Sequence, residues 1–592
     1  MNIYFLAFIF IYVLSYLLYL TFSKGLGNKA IYLQLRRFLP CALLAILPAY
    51  LFNASLASPQ YVLSTVVGFS WMFAYPFVYF LTYRKTSPDF GFHLDFVFGM
   101  YIIGLLFSLK SIIFHFNIIP SITITLLSII EVVLLLIASS QWLYYSLYKI
   151  CVNDEAIMLI RDTDYKEAME FYKSMPRSLQ VILPFAIVAL LILFIKGNFS
   201  AFSTFTASPY HIILAVCITI FMFIYITKPQ KGVFIRTGIA ELILDVRKYI
   251  NETKKYTAMQ QERLLNLNVK FNRKFSSKPS TTIIVIGESA SRDYMSAFGY
   301  NEHNTTPWLK EMSTKGNFIL FPNTYSCKAQ TVPALENALT EMNQYNDMKF
   351  YNACSIIDVA KKAGFRTYWF SNQGHIGSAE TSITLMANTT DKAEWTQQNL
   401  SQYQHDGSLL QYLKLLDPNE NNLVILHLMG SHFNFINRYP YDFAHFSKPG
   451  KYDLIPNYLD TLLYTDNVLK SITKYAQDNL NLQMMIYFSD HATTPDKRRS
   501  PVFDGFGVVR IPMCVYLSAD YIENHQETYT ILKSHRNEYF TNDLIYDFFC
   551  GLLDIKSNHY NEENSLASNS YIHTKNTLKT DLGNMWIKED KS

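Results

Sequence analysis

The first 227 residues are dominated by aliphatic and aromatic side chains, and this decides which solvent that part of the chain can fold in. Seven apolar stretches stand out, at 3–22, 38–56, 61–83, 96–114, 122–148, 181–195 and 212–226. Several reach the roughly 20 apolar residues that cross a bilayer as a helix. In hydrocarbon a spanning segment must satisfy all its backbone N–H and C=O groups internally, so helices are expected. The stretch 38–56 contains Pro40 and Pro48, and 181–195 is short, so a re-entrant or partly buried course is also open for these two. Residues 1–20 lack a basic start and a small-residue cleavage site, and read as an uncleaved anchor.

From about Lys228 onward, charged and polar residues alternate with short apolar runs, as in a water-soluble domain. A length of 592 residues also exceeds what one core supports. The expected division is a membrane domain over 1–230, amphipathic connecting helices over 231–279, a soluble domain over 280–557 and a polar, loosely held tail over 558–592. Within the membrane half, residues 154–172 read as a polar helical loop between spans. After the last span, Ile239, Leu242, Ile243, Val246, Tyr249 and Ile250 recur at helical spacing, which suits a helix on the bilayer surface or one packed on the soluble domain. A net charge of +4 with no basic stripe argues against a nucleic-acid partner. Cys327, Cys354, Cys514 and Cys550 lie in the soluble half, an even number that permits disulfides, and their spacing is not that of a paired-cysteine zinc site.

In the soluble half, strand-like runs at 281–286, 318–321, 366–370, 423–428, 484–488 and 512–517 alternate with helix-like ones at 332–342, 355–363, 406–415, 458–477 and 541–552. That alternation predicts a parallel sheet covered by helices. Three polar signatures follow its strands: Gly287-Glu288-Ser289, His427 to His432, and Asp490-His491. The carboxyl ends of parallel strands face one crevice, so these distant residues are expected to converge. A carboxylate, an Asp-His pair and further histidines are oxygen and nitrogen ligands of the kind zinc or manganese takes. Gly287 is expected to let the backbone turn sharply and aim Glu288. Thr331 stands before Val332-Pro333, where proline marks a helix start. It reads either as a metal-activated hydroxyl facing a phosphate at the helix N-terminus, or as an ordinary helix cap. His427 and His432 are candidates for proton transfer or for a second metal, and His375 is a further candidate on the substrate side.

The segments Ile286-Gly287-Glu288-Ser289-Ala290-Ser291-Arg292-Asp293, Phe298-Gly299-Tyr300, Thr305-Thr306-Pro307, Ser326-Cys327 to Pro333, His427-Leu428-Met429-Gly430-Ser431-His432 with Arg438-Tyr439, and Ser489-Asp490-His491 follow one another in the chain. In these motifs and their order the sequence resembles the membrane-bound, zinc-dependent phosphoethanolamine transferases of Gram-negative bacteria, within the alkaline phosphatase and sulfatase superfamily. The resemblance implies an N-terminal α-helical membrane domain and a C-terminal α/β domain, an αβα sandwich. It implies that Glu288, Thr331, Asp490 and His491 bind a catalytic zinc, with a second ion possible, and that Thr331 is the nucleophile. It sets His432 near the substrate or a second metal. The implied reaction carries phosphoethanolamine from phosphatidylethanolamine to lipopolysaccharide or another glycan through a phosphothreonine. It also implies an inner-membrane protein with its catalytic domain in the periplasm.

The sequence departs from the family pattern in two places. A shortened stretch between Thr331 and Pro333 removes the second cysteine of a local disulfide. Ala492 to Asp496 replaces glycine and acidic residues and a later histidine is absent, which makes Lys497, Arg498 and Arg499 candidate phosphate contacts. The rival readings are a phosphoglycerol transferase with the same threonine chemistry, and a non-catalytic membrane scaffold that keeps a structural zinc. A sulfatase is disfavoured, because Cys327-Lys328-Ala329-Gln330 does not supply a Cys-x-Pro-x-Arg nucleophile motif.

Overall fold

The computed structural model describes residues 3–22, 28–83, 91–149, 151–152, 154–163, 165–200, 207–229, 231–271, 279–373, 381–396, 404–496 and 503–591. The chain separates into two compact units, Met1–Ile160 with Phe171–Lys248, and Arg161–Glu170 with Tyr249–Ser592.

The first unit is helical. Its long helices are Ile3–Phe22, Asn28–Leu51, Pro59–Tyr83, Gly91–His115, Pro120–Tyr148, Arg177–Phe199 and Pro209–Thr227. Among the described residues six helices are long and apolar enough to cross a membrane, so this is a multi-pass membrane protein. The stretch 38–56, expected as a further span, lies largely in Asn28–Leu51, which is outside those six. Arg36 and Arg37 lower its hydropathy, and Pro40 and Pro48 sit within the helix. Helices Pro59–Tyr83 and Gly91–His115 meet at Gly68 and Gly99, where a Cβ on Gly99 would lie 2.3 Å from the Gly68 carbonyl oxygen. Small residues of this kind let two spans approach closely without a large apolar side chain between them. The amphipathic stretch after the last span is the helix Gly238–Thr253. Ile239 and Val246 are buried, while Ile243 is 49% exposed.

The second unit is built on a seven-stranded sheet. Its strands are β1 (Thr281–Gly287), β2 (Phe318–Leu320), β3 (Arg366–Ser371), β4 (Lys392–Trp395), β5 (Asn422–His427), β6 (Leu482–Ser489) and β7 (Met513–Leu517). The spatial order is β2-β7-β6-β1-β5-β3-β4. β1 pairs in parallel with β5 and β6, and β3 in parallel with β5 and β4. β7 runs antiparallel to both β6 and β2. Both faces are covered, which explains why the central strands read as unbroken apolar runs. Ile284, Ile286, Ile425 and Ile486 enter one core with the helices Thr331–Ala338, Ile356–Lys362 and Ile545–Leu552. Ile283, Val285, Leu426 and Tyr487 enter another with the helix Leu454–Asn479. The result is helix, sheet, helix, the αβα layering expected for this half.

The C-terminal segment is held rather than loose. Leu566, Leu578 and Ile587 are buried in the first of these cores, and Asp590 accepts hydrogen bonds from Arg510 and from the Tyr325 hydroxyl. Apolar anchors spaced widely among Asn, Ser and Lys are invisible to a composition argument. All seven cysteines are free, and the four in the soluble half are buried.

Candidate metal centre

Strand register brings the signatures to one level. Ile286 is opposite His427, Gly287 is opposite Ser489, and Ser371 is opposite His427. The residues that follow β1 and β6, Glu288 and Asp490-His491, therefore leave the sheet side by side. The sharp turn expected at Gly287 is taken at Ser289, whose φ is 57°. At Gly287 the need is for space, since a Cβ there would meet the Tyr487 ring and hydroxyl at 3.0 Å.

Glu288, Asp490 and His491 are buried, and their ligand atoms lie within 4.8 Å of one another. Asp490 Oδ1 accepts from the backbone N–H groups of Ser289 and His491, at 3.0 and 2.6 Å. Asp490 Oδ2 accepts no hydrogen bond among the described residues and faces His491 Nε2 at 3.4 Å. The His491 ring is oriented by its other nitrogen, which is 2.9 Å from the Ala492 carbonyl oxygen. A carbonyl only accepts, so Nδ1 carries a proton, and in the neutral ring Nε2 presents a lone pair. That lone pair points among oxygens: Glu288 Oε1 at 3.3 Å, Asp490 Oδ2 at 3.4 Å and Thr331 Oγ1 at 3.4 Å. Thr331 donates to Glu288 Oε2 at 3.0 Å. Burial and the Glu288 charge push the Asp490 carboxyl above its ordinary range. Two buried carboxylates, a lone-pair nitrogen and a hydroxyl sharing so small a space make a negative cage, and its donor set suits zinc. The residues fit the ion that the sequence motifs imply.

Thr331 is the first residue of the helix Thr331–Ala338, with Gln330 at the cap position making no side-chain cap, so its hydroxyl is turned to Glu288 and not spent on capping. Two neighbours fix the loop before it: Ser326 Oγ and Asn542 Nδ2 both donate to the Asp490 carbonyl, at 2.6 and 2.8 Å, and Asn542 Oδ1 accepts from Cys327 N at 2.8 Å. On the other flank Gly430, with φ 48°, lies so close to Glu288 that a Cβ would stand 2.8 Å from the Glu288 carbonyl oxygen. The buried Asp406 holds this flank by accepting from Met429 N, Gly430 N and Asn372 Nδ2 at 2.7 to 2.9 Å. Sequence reasoning missed Gln373, Asp406 and Asn542. Gln373 Nε2 donates to Glu288 Oε2 at 2.9 Å and to the Leu428 carbonyl at 3.0 Å.

The expected substrate-side histidines are placed differently from one another. His432 is half-buried in the loop after β5, and Arg438 fixes its backbone by donating to the carbonyls of His432 and Phe433. The same guanidinium reaches Glu170 at 3.1 Å, so a residue of the polar loop at 154–172 packs into the second unit. His427 is buried at the end of β5 with its ring edge-on to Trp369, and burial lowers its pKa to about 4. His375 and the basic trio Lys497, Arg498 and Arg499 lie outside the described residues.

Comparison with known proteins places the chain among related sequences and folds. Residues 280–555 match the sulfatase family. The phosphoethanolamine transferase EptC of Escherichia coli O18:K1:H7 is 31% identical over 238 residues, covering 37% of this chain and 41% of that protein. The chain resembles the phosphoethanolamine transferases. A putative phosphoethanolamine transferase of Haemophilus influenzae is 27% identical and is covered over 66% of its length. Among solved structures, the integral membrane phosphoethanolamine transferase EptA of Neisseria meningitidis superposes with a TM-score of 0.55 at 18% identity, covering 86% of this chain and 98% of that one. That likeness extends the shared fold across both units. The sequence matches are shorter: the chain spans about 41% of the first of these curated relatives.

Proposed function

We propose that this chain is a phosphoethanolamine transferase of the bacterial inner membrane, with its soluble unit in the periplasm. The donor is phosphatidylethanolamine and the acceptor an envelope glycolipid or glycan, lipopolysaccharide among them. The observation that carries the reading is the Thr331 hydroxyl, 3.0 Å from Glu288 and 3.4 Å from His491 Nε2, beside an Asp490 oxygen that has no donor among the described residues.

Glu288, Thr331, Asp490 and His491 would hold one zinc ion, which would lower the pKa of the Thr331 hydroxyl and offset charge on the phosphoryl oxygens. The Thr331 hydroxyl gives up its proton to solvent as Oγ1 attacks the donor phosphorus, the new P–O bond forms as the bond to diacylglycerol breaks, and the diacylglycerol oxygen takes up a proton from solvent. An acceptor hydroxyl then attacks the phosphothreonine in line and returns Thr331 to its free form. His432 takes the acceptor's proton, and His427 and His375 belong to the substrate side. The membrane spans keep the site near lipid headgroups, where both substrates are concentrated.

The test is transfer from phosphatidylethanolamine carrying a labelled headgroup, with phosphatidylglycerol as the competing donor. Thr331→Ala is expected to lower transfer by at least about a thousandfold. Without acceptor, the wild-type chain should accumulate a phosphoethanolamine adduct on the peptide containing Thr331, read by mass spectrometry. A Thr331→Ala chain that still transfers overturns the proposal, and a phosphoglycerol adduct assigns the donor to phosphatidylglycerol.

A further inference from the structure

A second group of metal-binding side chains lies outside this centre. Glu341, Cys354 and His559 place one ligand atom each within 4.8 Å of one another. They come from three separate stretches. Glu341 follows the helix Thr331–Ala338, Cys354 directly precedes Ser355, the cap of the helix Ile356–Lys362, and His559 follows the short strand Ile555–Ser557. Backbone pairing fixes the first two: Thr340 bridges Ser355, and Glu341 N donates to the Cys354 carbonyl at 3.0 Å. The Glu341 carboxylate then divides its oxygens, Oε1 accepting from Cys354 N at 2.8 Å and Oε2 lying 2.8 Å from His559 Nδ1. Cys354 is buried, while the side chains of His559 and Glu341 keep 22% and 11% of their surface, so the group is sealed on the thiol side and open on the other.

We propose that Glu341, Cys354 and His559 form a second, structural site for a zinc-like cation, with water as the fourth ligand. Thiolate, imidazole and carboxylate are the ligand types of tetrahedral zinc, whereas the hard ions magnesium and calcium avoid sulfur. Charge supports the exchange. With a thiol, an imidazolium and a carboxylate the group is neutral, and it is neutral again when a divalent ion replaces the thiol proton and one imidazolium proton, which leave to solvent. The ion ties the C-terminal segment to the start of the helix Ile356–Lys362. The Thr331 centre, whose candidate ligands include no sulfur, shares no residue with this group.

The test uses the full chain in detergent, stripped of metal and titrated with cobalt(II). A thiolate-to-cobalt charge-transfer band in the near ultraviolet is expected in the wild type and in Glu288→Gln/Asp490→Asn. It should vanish in Cys354→Ser. Zinc content should fall from about two per chain in the wild type to about one in either Glu288→Gln/Asp490→Asn or His559→Gln. A wild-type chain without the band overturns the site, and so does a Glu288→Gln/Asp490→Asn chain that retains no zinc. If the Thr331 centre held no metal, the band would persist and the single zinc would depend on Cys354, so the two failures are distinguishable.

Discussion

The chemistry of the centre depends on residues that aim the ligands as much as on the ligands. His491 offers Nε2 because Nδ1 donates its N–H to the Ala492 carbonyl, and Glu288 Oε2 accepts from both Thr331 and Gln373. Glu288 and the Asp490-His491 pair were legible because they stand just past the apolar runs 281–286 and 484–488, and Thr331 because a proline two residues on marks a helix start. Gln373 was not, since a polar residue after a strand is common and only the fold shows that Glu288 is its neighbour. The same holds for Asp406 and Asn542, whose partners are backbone groups far along the chain. Gln373→Leu keeps the volume but removes the donor to Glu288 Oε2. Zinc affinity, measured by competition with a chelator, is expected to weaken about ten- to a hundredfold. Unchanged affinity would mean that Gln373 only fills space.

At the level of elements, the buried strands β1, β5 and β6 were readable to within two residues because both faces of each are covered. The edge strand β4 was not, because Lys392 and Glu394 interrupt it and all four of its residues are only half-buried. The helix Leu454–Asn479 announced itself by its length, but its packing introduces a titration that no periodicity reveals. Asp466, buried on that helix, accepts from Trp308 N and Leu309 N at 2.8 and 2.9 Å, and burial raises its pKa to about 7. An unfolded aspartate titrates near 3.9. Between about pH 4 and 7 the folded chain therefore binds more protons at this position than the unfolded one, and stability falls as pH rises. The Asp466 contribution is complete below about pH 4 and lost by about pH 7, with a slope of at most about 1.4 kcal/mol per unit. Asp466→Asn cannot titrate. Relative to this variant, the wild type should lose stability across that window, followed by denaturant unfolding at several pH values, and a difference that does not change with pH would refute the assignment.

Across the whole molecule the two units answer to different solvents, and the same side chains carry different costs in each. In the soluble unit an exposed lysine is free to keep its water; in the membrane unit Lys110 is buried and needs protein partners. Its ammonium group meets Glu131 Oε1 at 2.7 Å, Asn198 Oδ1 at 2.9 Å and the Gln60 carbonyl at 2.9 Å. Asn198 Nδ2 in turn donates to Glu131 Oε2 at 2.6 Å and to Ser128 Oγ at 2.9 Å. Gln60, Lys110, Glu131 and Asn198 come from four different long helices, so one polar knot joins four spans that apolar contact alone would leave without a fixed rotation. In the sequence Lys110 and Glu131 stand within apolar stretches, and nothing there pairs them. Removing one partner strands the other charge, so Lys110→Met is expected to destabilise the membrane unit by about 3–5 kcal/mol. Adding Glu131→Leu removes the stranded carboxylate and should recover a large part of that loss, because an apolar replacement of a buried pair is often close to neutral. Unfolding of the two variants in detergent decides the matter: if the double variant is less stable than Lys110→Met by the full cost of Glu131→Leu alone, the two side chains act independently and the knot does not set the packing of the spans.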